Sequence, residues 1–190
     1  MVTHDNFELL VEYGSTSETM LLLGSQTMNL PNLQGRPAAQ ELACDDLDIN
    51  GEAAINHDLS KYKALPEFGP YSTIADFGTL EHVGDEGRTA NALRNVFAWL
   101  VPGGVAIHVN PSPAYRDPEA HADCIRFTPE FWQAYAELTE LEVVLIDSLP
   151  AYPEASTAIE TRAVLQKKSG SKPPKKAKIV ELIKEHCLYV

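Results

Sequence analysis

Several short polar clusters follow apolar runs along this chain, and their residue types suit a nucleoside-shaped ligand. Gly24-Ser25-Gln26-Thr27-Met28-Asn29 reads as a tight turn where backbone can approach a ligand closely. Asp45-Asp46-Leu47-Asp48 offers carboxylates able to accept hydrogen bonds from ribose hydroxyls. His57-Asp58-Leu59-Ser60 offers another carboxylate for the edge of a base, and Phe77-Gly78-Thr79-Leu80-Glu81-His82-Val83 supplies an apolar wall. None of these clusters has the His, Cys or carboxylate spacing of a metal centre, so no metal site is expected.

The elements that must position these clusters are legible as apolar runs separated by turn signals. Strands are expected at 19–24, 41–45, 53–56, 71–77, 104–109 and 141–147, with a weaker one at 158–165. Ala92, Leu93, Val96, Phe97 and Leu100 form one apolar helical stripe that stops at Pro102-Gly103-Gly104. A second helix opens at Thr128-Pro129-Glu130, with Thr128 as N-cap, Pro129 at the first helical position, and Phe131, Trp132, Tyr135 and Leu138 as core. Helices alternating with near-continuous apolar strands indicate an α/β domain with a largely parallel sheet. Ligands bind such sheets beyond the carboxyl ends of the strands, where these clusters fall.

Composition narrows the function classes. The chain has 190 residues, with 15 Lys plus Arg against 27 Asp plus Glu and a formal charge of −12. From Lys167 onward there are seven Lys and two Glu, so the acidity resides in residues 1–166. An acidic body is poorly suited to clamping a phosphate backbone, so nucleic acid is an unlikely partner. Neither a membrane-spanning run nor a signal peptide is visible, which gives the expectation of a cytoplasmic protein with no membrane association. Cys44, Cys124 and Cys187 lack CxxC spacing and read as packing residues.

Taken in order, these segments resemble the class I S-adenosylmethionine-dependent methyltransferases, in particular the compact type 11 kind. The resemblance runs from about Met20 to Val144. It is carried by the strand and Leu-Glu-His-Val turn of 71–83, by the helix, Pro-Gly-Gly turn and strand of 92–109, and by Phe127-Thr128-Pro129-Glu130-Phe131-Trp132. The first motif is degenerate: where the family has an acid two residues before its first glycine and further glycines after it, this chain has Leu22, Gln26 and Met28. The resemblance implies a Rossmann-like sheet with helices on both faces, some covering helices being short or missing.

It also implies S-adenosyl-L-methionine as cofactor and a methyl transfer to a small-molecule acceptor. Gly24 and Ser25 would lie against the methionyl part, Asp46 or Asp48 would bind the ribose, Asp58 and Leu59 would border adenine, and Phe77 and Gly78 would line the cavity near the sulfonium. Where the acceptor needs deprotonation, His82, His108 and His121 are the candidate bases, of which His82 and His121 are preferred and His108 reads as an interior strand histidine. The alternative is a catalytically inactive methyltransferase-fold protein that works as a binding or assembly module.

The organisation expected is a methyltransferase-like domain over 1–166, a flexible basic linker over 167–178 and a short amphipathic helix over 179–190. Such a helix is marginal alone in water. It therefore docks, either on its own domain or, through self-association or a protein partner, on another chain.

Overall fold

The computed structural model describes residues 4–14, 19–24, 43–47, 55, 57–63, 70–114, 124–150 and 159–189. Helix α1 (His4–Tyr13) precedes strands β1 (Thr19–Leu23), β2 (Ala43–Leu47) and β3 (Tyr71–Phe77). A single 3₁₀ turn (Leu80–His82) leads to helix α2 (Glu86–Trp99), strand β4 (Leu100–Pro111), a two-residue strand β5 (Ile125–Arg126) and helix α3 (Pro129–Thr139). The chain continues through β6 (Glu142–Pro150), β7 (Ile159–Gln166), α4 (Lys176–His186) and a two-residue β8 (Leu188–Tyr189).

Six strands form one sheet in the order β2-β1-β3-β4-β7-β6. The first four run parallel, and β7 is antiparallel to both its neighbours. All seven residues of β3 are buried, as a central strand covered on both faces requires. Side-chain alternation divides β1 between two cores. Leu21 and Leu23 join Ile74, Leu93, Phe97, Phe131 and Tyr135 on the face carrying α2 and α3. Met20 and Leu22 join Leu9, Leu10, Ala75, Phe77 and Ile107 on the face carrying α1. The expected strand at 53–56 is represented by a bridge at Ile55, and its other residues lie outside the described ones.

The end of α2 differs from expectation. Leu100 already has extended backbone, so β4 begins immediately after Trp99 and runs through Pro102-Gly103-Gly104. Lys167 caps the end of the helix: its ammonium donates to the carbonyls of Phe97 at 2.8 Å and Leu100 at 2.7 Å. A cation on the last carbonyls of a helix satisfies acceptors the helix leaves open. The Lys167 backbone in turn exchanges bonds with Gly103 and Gly104. Burial lowers the Lys167 pKa.

Helix α3 opens as its sequence dictates. The Thr128 hydroxyl accepts from the Phe131 N–H at 3.1 Å and donates to the His186 carbonyl at 2.9 Å, tying the start of α3 to the end of α4. Helix α4 begins at Lys176, three residues before the expected Ile179. Its apolar face is taken by the same chain: Ile179 and Ile183 are fully buried in the core shared with α2 and α3. Lys184 lies 3.2 Å from Glu86 at the start of α2, and β8 pairs with β5. Of the two docking modes open to a marginal helix, this chain uses its own domain.

Cys187 shares that burial, which pushes its thiol up to about 12, partly offset by a hydrogen bond involving the Thr128 backbone. The thiolate is the reactive form. A thiol-exchange reagent at pH 8 is therefore expected to modify Cys187 at least tenfold more slowly in the folded protein than in urea. Equal rates would contradict the docked α4.

Candidate active site at the carboxyl ends of β1, β3 and β4

Three parallel strands end side by side, Leu23 of β1 in register with Asp76 of β3, and Asp76 with His108 of β4. Each of the first two is followed by a glycine in left-handed backbone, Gly24 at φ 75° and Gly78 at φ 79°. L-residues pay about 1–2 kcal/mol to enter that region, whereas glycine enters freely. Gly24 is also packed: a Cβ built there would fall 2.2 Å from the Thr79 hydroxyl oxygen. Thr79 in turn donates from that hydroxyl to the Leu23 carbonyl at 2.9 Å and from its N–H to Asp76 Oδ1 at 3.0 Å. One side chain thus joins the two glycine turns.

Below the turns lies a buried polar network. Asp76 Oδ1 also accepts from the Leu80 N–H at 3.2 Å, which starts the 3₁₀ turn. Asp76 Oδ2 accepts from Asn110 Nδ2 at 2.9 Å and lies 3.2 Å from His108 Nδ1. Because a carboxylate oxygen accepts, Nδ1 is the protonated nitrogen in this arrangement. Asn110 Nδ2 donates further to Glu81 Oε2 at 3.1 Å. Asp76, Glu81, His108 and Asn110 are all buried. His108 is interior, as expected, and its ring stacks on Trp132 with centroids 4.3 Å apart. Asp76, Glu81 and Asn110 are the residues that sequence reasoning passed over. The signal was present as His108-x-Asn110, two polar residues at period two on one face of an apolar strand, opposite a lone Asp in β3.

The sequence-predicted residues are distributed as follows. Gly24 and Gly78 meet at the strand ends through Thr79 and Asp76. Phe77 has its side chain in the α1-side core, and Leu59 has its own in the opposite core. Asp58 accepts from the Ser60 N–H at 2.9 Å and lies 3.3 Å from Lys61 Nζ. Hydrogen bonding from Ser60 above all, then from Lys61, holds its carboxyl below the usual carboxylate range. Asp46 pairs through β2 with Leu22, near the same end of the sheet as Gly24. His82 is 46% exposed, with Nε2 3.8 Å from Glu81 Oε1. Ser25, Asp48 and His121 lie outside the described residues. Leu22, which stands where the resemblance implies an acid, is buried among apolar side chains. Among the described residues no group of three or more His, Cys, Asp or Glu could hold a metal ion.

No family model matches the sequence, and no curated protein matches it at a significant level. Solved structures do match. A SAM-dependent methyltransferase from Methanosarcina mazei superposes with a TM-score of 0.61 at 15% identity, over 84% of this chain and 97% of that one. The fold is the class I methyltransferase fold. The 1,6-didemethyltoxoflavin-N1-methyltransferase of Burkholderia thailandensis, solved with 1,6-didemethyltoxoflavin and S-adenosylhomocysteine, matches at TM-score 0.58 and 15% identity over 86% of this chain and 76% of that one. A 16S rRNA (adenine(1408)-N(1))-methyltransferase W203A mutant from Catenulisporales acidiphilia matches at 0.57 and 13%, over 89% and 94%. The class I methyltransferase fold is thus shared by proteins named for a small heterocycle and for ribosomal RNA, so it does not by itself support the expectation that nucleic acid is an unlikely partner. Among the described residues no helix is long and apolar enough to cross a membrane.

Proposed function

We propose that this chain is an S-adenosylmethionine-dependent methyltransferase of the type 11 kind acting on a small-molecule acceptor. The observation that carries the reading is the pair of left-handed glycine turns, Gly24 and Gly78, side by side at the carboxyl ends of β1 and β3. Backbone at the carboxyl ends of the strands is what a nucleoside ligand of a parallel sheet uses. The residues fit the cofactor as follows: Gly24 and Ser25 hold its methionyl part, Asp46 or Asp48 its ribose, and Asp58 with Leu59 its adenine, while Phe77 contributes its backbone beside Gly78 near the sulfonium. When bound, the cofactor supplies a methyl group on a cationic sulfur that is a good leaving group.

The chain supplies position and proton transfer. Holding donor and acceptor together in a desolvated cleft lowers the barrier without a protein nucleophile. His82 takes the acceptor's proton, its Nε2 lying 3.8 Å from Glu81 Oε1, and His121 is the second candidate. The acidity of residues 1–166 favours a small acceptor over a polyanion.

A thermal-shift titration with S-adenosylhomocysteine tests this reading. Ligand at a hundredfold its dissociation constant stabilises a fold by about 2.7 kcal/mol, and Asp46→Ala is expected to remove most of that gain. A folded protein that shows no shift at millimolar S-adenosylhomocysteine overturns the proposal.

A further inference from the structure

The segment 57–63 has little regular structure of its own, and α2 holds it with a stripe of polar side chains. Asn91, Asn95 and Trp99 recur every four residues on one helix face. Asn91 Nδ2 donates to the Ser60 carbonyl at 2.8 Å. Asn95 Nδ2 donates to the carbonyls of Leu59 at 3.1 Å and Lys61 at 2.9 Å, while Asn95 Oδ1 accepts from the Lys63 N–H at 2.8 Å. Trp99 Nε1 donates to the Lys63 carbonyl at 2.7 Å. Asn95 therefore pairs with alternate backbone groups, 59, 61 and 63, as a neighbouring strand would.

An asparagine with 0% exposure is costly unless its amide is fully bonded, and here the amide spends all its bonds on this one segment. The segment also carries His57, whose buried Nε2 has no hydrogen-bond partner among the described residues, although its ring lies edge-on to Trp99 at 5.6 Å. A segment held by five side-chain bonds from one helix, with a buried nitrogen left to satisfy, has the character of a ligand platform. We infer that Asn95 is a positioning residue for the nucleoside end of the cofactor, acting through the segment 57–63. This rests on the methyltransferase reading above, within which Asp58 and Leu59 border adenine.

Calorimetric titration of wild type, Asn95→Leu and Trp99→Phe with S-adenosylhomocysteine and with adenosine tests the inference, alongside hydrogen exchange of the 59–63 amides. Asn95→Leu is expected to weaken both ligands by the same factor, at least tenfold, because both carry the adenine and ribose. Trp99→Phe removes a single bond and is expected to weaken both about threefold; it stands in should Asn95→Leu fail to fold. Faster exchange at 59–63 with unchanged dissociation constants, in whichever variant folds, would show a purely structural clamp and overturn the inference. Wild type that binds neither ligand sinks the methyltransferase reading and the inference with it, an outcome visible before any variant is made.

Discussion

Gly24→Ala is expected to abolish measurable S-adenosylhomocysteine binding and to cost the fold about 2–4 kcal/mol, read by urea denaturation. Two independent effects add. The methyl group sits on left-handed backbone at φ 75°, and it would lie 2.2 Å from the Thr79 hydroxyl oxygen. Thr79 must swing away, which breaks its bond to the Leu23 carbonyl and separates the turn after β1 from the turn after β3. The clash is with one removable atom, so the double variant Gly24→Ala, Thr79→Ala is expected to recover part of the stability while retaining the backbone strain. A double variant no more stable than Gly24→Ala would place the damage elsewhere. Full binding by Gly24→Ala would detach this turn from the cofactor.

Asp76→Ala is expected to be the more destabilising change, at about 3–5 kcal/mol. It leaves the N–H groups of Thr79 and Leu80, the Asn110 amide and His108 Nδ1 facing a void inside the protein. Unsatisfied buried donors cost about 1–3 kcal/mol each, though not additively. Asp76→Asn is the instructive companion. An asparagine can point its single oxygen at the two backbone N–H groups, but its amide nitrogen then meets two donors. It is expected to lose about half as much stability as Asp76→Ala. Equal stability of Asp76→Asn and wild type would mean that the network tolerates an amide where it now has a four-acceptor anion.

Much of the framework was legible in the chain because its strands are apolar runs and its third helix carries an unambiguous start. Thr128 and Pro129 occupy the cap and first position expected of them. Elements whose function contradicts their residue type were not legible. Lys167 reads as the first residue of a basic linker, yet its ammonium caps the last carbonyls of α2 from seventy residues away. Asn91 and Asn95 lie outside the apolar stripe of Ala92, Leu93, Val96 and Phe97, and nothing in the local pattern marks Asn95 as buried and bonded to a distant segment. Helix α1 was not anticipated, although Leu9, Leu10 and partly buried Tyr13 fall at helical spacing against the sheet. In the site, the glycines were legible because turns need them; Asp76, Glu81 and Asn110 were not, because their partners come from different strands. Local pattern reports which residues can be buried, and only the register of β3 against β4 reports which polar ones are buried together.

The proposed nucleoside cofactor would bind across the carboxyl ends of β1, β3 and β4. Amide hydrogen exchange of the full chain with and without saturating S-adenosylhomocysteine tests it most directly. Protection is expected at Gly24, at Gly78 to Leu80 and across 57–61, with the groove between α3 and β6, lined by Gln133, Ala134, Glu137 and Ile146, unaffected. Protection confined to that groove, or absent from both glycine turns, would contradict it.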